Sequence, residues 1–430
     1  MKARRIFPAV VAAGVLIAAC GDDSDAADTT KAASAATTVG GAATTTATAP
    51  TAVDPSLPPL KIGLLGIESG ALVTQNRHNS IEMAIAELNA KGGAYGHKIE
   101  YTAYDAGAAA DTASTAVKKA ISDKVNVMFG LGFTATVAAV APDVANSGIP
   151  LLFTAQNPIL NKSQLKLDMG YRVGPSADIY AEAFVKFALD QTPQPKTIGS
   201  FHTTEQNGAY VAKAINQLLK DKGFTGQVVE RAVAVTATDV TEAVLAMKAV
   251  DFIIMNDNPT QGQLFLKQKA QNGLTTPGVI DTGAASYVSS GANTIDQMKN
   301  QSYVSGCSTD ASDAPQAIAY KAAYKAKYPS EANTDGSAPT NYQAVYYIAA
   351  AANLAKSIDA KDLKAAFAKL DFTGPCGQWK ADAENNTQHD VMVVDVTTGK
   401  LMKRYTQLVG TPGLAVDTPT TVAASTAAAS

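Results

Sequence analysis

From Leu60 onward, short apolar runs alternate with stretches whose apolar residues recur every three or four positions. Leu60–Gly66 is nearly continuous in apolar residues, the pattern of a strand covered on both faces. Asn79, with Glu82 three residues on, reads as the cap of a helix whose apolar face is Ile81, Ala84, Ile85 and Leu88, ended by Gly92-Gly93. The same alternation predicts strands at Ile99–Tyr104, Val125–Phe129 and Pro150–Phe153, and helices at Asp111–Asp123 and Thr136–Ser147. A β-α-β-α-β-α-β order implies a parallel sheet with right-handed crossovers. The pattern then restarts. Helices Ile179–Asp190, Gly208–Lys222, Val240–Lys248 and Gly262–Gln271 lead to strands Thr197–His202, Gln227–Val235, Val250–Met255 and Gly278–Asp281. Strand Tyr303–Ser305 follows, then helices Pro315–Tyr328, Tyr342–Ser357 and Ala360–Leu370. The chain closes on Met392–Val396 and Leu401–Gln407, an antiparallel hairpin around Thr397-Thr398-Gly399-Lys400. The expected fold class is therefore α/β, with two Rossmann-like units of similar size.

The segments outside this body differ in kind. Lys2, Arg4 and Arg5 precede apolar stretches Ile6–Ala13 and Val15–Ala19, which are too short to span a bilayer as a mature helix and read as an export signal. The stretch ends Ile17-Ala18-Ala19-Cys20-Gly21, which resembles a bacterial lipobox with Cys20 as the lipidated residue. Residues 21–59 are nearly all Ala, Thr, Ser, Gly, Asp and Pro, a composition unable to offset chain entropy by burial, and read as a disordered tether. Residues 411–430 read as a disordered tail.

Composition narrows the chemistry. A net charge of −3, with 17% charged residues, argues against a nucleic-acid partner, which needs a basic face. His78, His97, His202 and His389 are scattered, and no Cys pair has C-x-x-C spacing, so no metal site is expected. Gly130-Leu131-Gly132-Phe133-Thr134-Ala135 fits G-x-G-x-x-A between strand and helix, but the acid that a dinucleotide site needs about 20 residues on is missing. No cofactor is expected. The helix start at Thr134 remains suited to a carboxylate. His202 has no nucleophile partner, Ser69 has no G-x-S-x-G elbow, and Asp257 and Asp281 read as caps or ligand contacts rather than a catalytic pair. The Tyr320, Tyr324, Tyr328 stripe reads as packing. Ligands of such sheets bind beyond the carboxyl ends of the strands. The loops there carry Thr, Asn, Gln and Asp, which suits a small polar molecule.

Several segments carry a family resemblance in order along the chain. Lys61-Ile62-Gly63 with Glu68-Ser69-Gly70, Ala86-Glu87-Leu88-Asn89 before Gly92-Gly93, Gly96-His97-Lys98-Ile99, and Gly130–Thr136 with Gly148-Ile149-Pro150 resemble the first half of the type I periplasmic binding proteins. Within these they resemble the branched-chain amino acid subfamily of ABC-transporter solute-binding proteins. Tyr324 to Tyr328, Asn341-Tyr342-Gln343-Ala344-Val345 and Phe372-Thr373-Gly374-Pro375 continue the series, which covers about residues 60–410. The resemblance implies two lobes joined by three crossings. The first is 60–174 with 308–374; the second is 175–307 with 375–410. It places Ser69, Thr134, Thr154 and Gln156 as first-lobe contacts, and Asn207, Asp257, Asn258, Asp281 and Thr282 as second-lobe contacts. It also sets Cys307 and Cys376 at the second and third crossings, where a disulfide is the expected pairing.

The second lobe departs from the family. Asn207-Gly208 stands where Tyr-Gly is usual, and Asp257-Asn258-Pro259 where an aromatic precedes Pro. The usual acid before Gly falls at Thr282, with Asp281 one residue earlier. These departures favour a solute smaller or more polar than a branched-chain amino acid, with Asp257 or Asp281 as ammonium partner. The expected protein is a monomeric, extracytoplasmic lipoprotein that delivers this solute to ABC permease subunits and is not an enzyme. A sensory receptor of the same fold and a cell-surface enzyme are the alternatives; a neighbouring permease gene favours transport, and turnover of a solute favours an enzyme.

Overall fold

The computed structural model describes residues 52–69, 75–256, 259–288, 290–331, 337–387, 389–411 and 414. Its first half contains β1 (Leu60–Gly66), α1 (Gln75–Asn89), β2 (Ile99–Asp105), α2 (Ala110–Ser122), β3 (Val127–Gly130), α3 (Thr134–Ser147), β4 (Leu151–Phe153), α4 (Lys162–Leu165) and β5 (Gly170–Arg172). These strands form one parallel sheet in the order β2-β1-β3-β4-β5. The run Leu60–Gly66 is buried at every position but Lys61, as its apolar sequence requires of a strand between two helix layers.

A second set follows: α5 (Ala177–Leu189), β6 (Thr197–Thr203), α6 (Gln206–Asp221), β7 (Gln227–Val233), α7 (Thr241–Ala246), β8 (Phe252–Asn256), α8 (Pro259–Gln271), β9 (Gly278–Ile280) and β10 (Gln301–Ser305). The chain then gives α9 (Pro315–Lys327), α10 (Ser337–Ala355), α11 (Ala360–Phe367), β11 (Asp371–Gly374), β12 (Gly377–Lys380), β13 (Val391–Asp395) and β14 (Leu401–Tyr405). The second sheet runs β14-β13-β10-β9-β8-β6-β7, with β13 and β14 antiparallel. The closing hairpin is therefore where the sequence placed it.

Apolar burial makes two lobes out of this order. One face of the first sheet packs on α1, α9, α10 and α11 through Ile62, Phe129, Ile81, Tyr320, Tyr324, Tyr347 and Phe367. The other packs on α2 and α3 through Leu65, Met128, Val117, Val137 and Val140. The second sheet is covered by α5 and α6 on one side and by α7 and α8 on the other. The tyrosine stripe of α9 is packing: Tyr320 and Tyr324 are buried, the Tyr320 hydroxyl meets Ser80 Oγ at 2.9 Å, and Tyr328 donates to the Asn79 carbonyl at 3.0 Å.

The structure corrects several local expectations. Helix α1 begins at Gln75, so Asn79 is not its cap but a buried residue one turn in, accepting from Gln75 Nε2 at 3.2 Å. The stretch assigned to the tether is folded from residue 52: Asp54 N donates to Gly96 O at 2.8 Å, and the His97 ring meets Pro58 O at 2.7 Å. Strand β5 and the β11–β12 pair lie in short segments whose apolar runs are too brief to show a period. That pair belongs with the first lobe, since Trp379 and Cys376 join its apolar cluster. The return to the second sheet thus falls after Lys380, not at residue 375.

Cys307 and Cys376 are bonded. Cys307 follows β10 at the second crossing as expected, but Cys376 sits in the two-residue turn between β11 and β12 rather than at the third crossing. Gln343 of α10 holds that turn, accepting from Cys376 N at 2.6 Å and donating to Gly377 O at 3.0 Å. The bond closes a loop 69 residues in separation. The chain-entropy relation gives it roughly 4 kcal/mol. Paired Cys307→Ser and Cys376→Ser substitution is expected to lower the urea midpoint by a corresponding amount; an unchanged midpoint contradicts a stabilising role.

Candidate functional site

The first-lobe side of the site is built where β3 and β4 end. Gly130 ends β3 at a φ of 132°, and a Cβ there would lie 1.9 Å from the Leu65 carbonyl oxygen. Only glycine lets β3 lie this close to β1 with such a backbone. The chain then turns so that Leu131 O accepts from Thr154 N at 3.2 Å and Ala155 N at 3.3 Å. This brings the β4 loop alongside the start of α3, and the Thr154 hydroxyl lies against Gly132. Thr134, the first residue of α3, is buried beside it. Thr134 and Thr154 are thus gathered at one helix N-terminus.

Ser69 is placed differently. Its hydroxyl donates to Asp105 Oδ2 at 2.6 Å, in an exposed loop at the end of edge strand β2. That bond, with backbone N–H groups of Glu68 and Gly107, holds the Asp105 carboxyl below its usual range. Ser69 lies in the β1–α1 loop, whose Glu68 pairs with both Arg77 and His78 at the start of α1.

The second-lobe side is acidic. Asp281 follows β9 and caps a 3₁₀ turn, Thr282–Ser286, by accepting from Gly283 N at 3.3 Å. Burial pushes its carboxyl up to about 6, the N–H groups of Gly283 and Thr282 and the side-chain amide of Gln156 oppose this, and Glu205 adds repulsion. The Tyr180 hydroxyl accepts from Gly306 N at 3.2 Å at the second crossing. Glu205 was not anticipated in the sequence. It caps α6 by accepting from Asn207 N at 2.6 Å and Gly208 N at 2.8 Å. Asp257 and Asn258 lie outside the described residues.

The two sides meet at Gln156 and Asn157. The Gln156 side-chain amide favours the ionised Asp281 carboxyl of the second lobe, and the Gln156 carbonyl accepts from Ala177 N at 2.9 Å. Asn157 Nδ2 donates to Gln206 O at 3.3 Å. Two acceptors here are buried and without a partner: Gln156 Oε1 and Asn207 Oδ1. Gln156 and Asn157 of the first lobe thus lie against Asp281 and Gln206 of the second.

Arg172, also missed from the sequence, underlies this arrangement. It is fully buried at the end of β5 and donates to Ala155 O at 3.0 Å, Asn157 O at 2.7 Å, Asn161 Oδ1 at 2.9 Å and Asn386 Oδ1 at 2.8 Å. Burial lowers it to about 10, with Asp178 and Asp382 opposing. The one signal for it was a lone cation inside the apolar run Gly170-Tyr171-Arg172-Val173. Among the described residues no cluster of His, Cys, Asp and Glu is arranged to hold a metal, and no helix is long and apolar enough to cross a membrane.

Two α/β lobes with polar loop residues where they meet are the setting in which small-molecule sites form. The family model described as periplasmic binding protein matches residues 59–400, and the chain belongs to that family. It is 26% identical over 381 residues to Leu/Ile/Val-binding protein homolog 7 of Brucella abortus (strain 2308), covering 83% of this chain and 92% of the relative. The fold is similar to that of the branched-chain amino acid transporter substrate-binding protein LivJ of Streptococcus pneumoniae in complex with isoleucine. That match has a TM-score of 0.70 at 23% identity, over 81% of this chain and 99% of the other. It is equally similar to an ABC transporter solute-binding protein of Rhodopseudomonas palustris BisB5 in complex with 3,4-dihydroxybenzoic acid, with a TM-score of 0.71 at 20% identity, over 83% and 99%. The family and these neighbours are substrate-binding proteins, not enzymes, and the family is extracytoplasmic.

The raised Asp281 carboxyl has a testable sign. A folded-state value near 6 against an ordinary 3.8 means the fold binds this proton more tightly than the unfolded chain. The associated stability is present below about pH 4 and lost as pH rises through about 6. Asp281→Asn, still able to accept from Gly283 N, is expected to match wild type in melting temperature near pH 4 and to exceed it above pH 7. A difference that does not change with pH contradicts this assignment.

Proposed function

We propose that the chain is the solute-binding lipoprotein of an ABC importer, anchored through Cys20 on the outer face of the cell membrane and held away from it by the residues that follow. It captures a small polar amino-acid-like or amide solute between its lobes and delivers it to a permease. The reading of residues 1–20 as an export signal and 21 to about 51 as tether belongs to this proposal, as do Asp257 and Asn258 as further contacts; the tail reading gives way at its start, where Thr411 is buried and Leu414 packs on the second-lobe core.

The observation that carries the solute class is the set of unpaired acceptors on the loops by which the two lobes meet. Gln156 Oε1 and Asn207 Oδ1 are buried and unpaired, and the Asp281 carboxyl lies beside Gln156. Such groups call for a donor, and an ammonium or amide N–H supplies one. Thr134 and Thr154 at the start of α3 suit the solute's carboxylate or carbonyl oxygen. Of the neighbours named above, one is in complex with isoleucine and one with 3,4-dihydroxybenzoic acid. The missing aromatics at Asn207 and Asp257 favour a compact polar solute over the branched-chain side chains.

Thermal shift against L-glutamine, L-asparagine, L-leucine, acetamide and 3,4-dihydroxybenzoate tests this. An amide or polar amino acid is expected to raise the melting temperature, a ligand at 100-fold Kd adding about 2.7 kcal/mol. Asp281→Ala is then expected to weaken binding at least tenfold, and Asn207→Ala by roughly 1–3 kcal/mol. Stabilisation by the aromatic acid alone overturns the solute class. For the anchor, Cys20→Ala is expected to free the protein from the membrane fraction or block its processing; a fully processed, membrane-bound variant contradicts lipidation.

A further inference from the structure

Arg172 is the last residue of β5, where the chain leaves the first lobe, and its guanidinium is wholly out of water. No carboxylate touches it; its partners are two loop carbonyls and two asparagine amides. Two of these, Ala155 O and Asn157 O, flank Gln156 on either side. A planar guanidinium presenting donors in a fixed fork sets both carbonyls at once, and so the direction in which the residue between them points.

The other end of the guanidinium engages the third crossing. Asn386 accepts from Arg172 Nη1, and Asn386 Nδ2 donates in turn to Asn161 Oδ1 at 3.3 Å. The backbone repeats the link: Arg172 N donates to Asn385 O at 2.9 Å, and Arg172 O accepts from Thr387 N at 2.9 Å and Thr387 Oγ1 at 3.0 Å. Glu384 adds bonds to the start of α4, its carbonyl accepting from Lys162 N at 3.4 Å and its carboxylate from Ser163 N at 2.8 Å. Residues 384–387, 155–163 and 170–172 are therefore one hydrogen-bonded block, although two hundred residues separate its parts in sequence.

We propose that Arg172 is the positioning residue of the solute site, fixing the Gln156 loop to the third crossing so that the Gln156 amide meets Asp281 across the lobes. The proposal rests on the reading of Gln156 and Asp281 as facing contacts of a solute site. Arg172 itself touches no solute and acts through the loop. Solute affinity is thereby tied to a crossing between the lobes, so that loosening the third crossing loosens the binding loop.

The test needs no solute. The Gln156 side chain favours the ionised form of Asp281, so its loss raises the Asp281 titration midpoint. The midpoint is read by carbon-detected NMR on free wild type, Gln156→Ala, Arg172→Lys and the double variant. Lysine keeps the charge and loses the fork. Gln156→Ala and Arg172→Lys are each expected to raise the midpoint by roughly half a pH unit, and the double variant no further than either alone, because both act through one bond. A merely structural role for Arg172 lowers melting temperature without moving this midpoint. An unchanged midpoint in Arg172→Lys, or additive rises, overturns the proposal. If Arg172→Lys does not fold, Asn386→Ala, which removes one of the four acceptors, decides: a smaller rise in the same direction supports it and no rise overturns it. A protein that binds nothing in the thermal-shift panel yet shows the shared rise loses the solute class and keeps the positioning.

Discussion

A guanidinium removed from water without a carboxylate beside it is the constraint around which this molecule is arranged. Such burial is costly unless its donors are met. Arg172 meets four of its five N–H donors with carbonyls and amides drawn from the β4 loop and from the third crossing. The compensation fixes backbone positions on the first-lobe loop and on the crossing together. Arg172 also lies over the Phe153 ring, 5.6 Å from its centroid, at the end of β4. The same residue therefore joins the sheet edge, the loop beyond it and the passage to the second lobe.

The candidate site follows from what that loop faces. On the first-lobe side are hydroxyls and a helix N-terminus; on the second, Asp281 and Glu205. Glu205 is occupied by the N–H groups that begin α6, while Asp281 is half spent on its own turn and half presented to Gln156. Burial and Glu205 both disfavour the charge on Asp281. A cation arriving beside it relieves both terms, so its attraction strengthens as the lobes exclude water. The disulfide, with both sulfurs on the first-lobe side, steadies the second crossing against the β11–β12 turn and leaves this junction to hydrogen bonds.

The alternation of buried runs and amphipathic helices was legible because the central strands of a doubly covered parallel sheet are nearly all apolar, as in Leu60–Gly66 and Phe252–Asn256. The closing hairpin was legible for its turn residues. Thr134, Gln156, Asn207, Asp281 and Thr282 could be named because they stand in or beside strand-to-helix loops, while only coordinates show Ser69 bound to Asp105. The start of α1 was misplaced because Asn79 with Glu82 imitates a cap, whereas Asn79 is buried within the helix. Arg172, Glu205 and the turn holding Cys376 were not legible. Their roles depend on partners such as Asn386 and Gln343, distant in sequence, and no local period records such partners.

The most direct test is a crystal structure of the solute-loaded protein. The account expects a solute nitrogen within hydrogen-bonding distance of Gln156 Oε1 or Asn207 Oδ1 and of the Asp281 carboxylate, with its oxygen end at Thr134 and Thr154. A solute whose carboxylate meets Asp281, or which sits away from both amides, would contradict it.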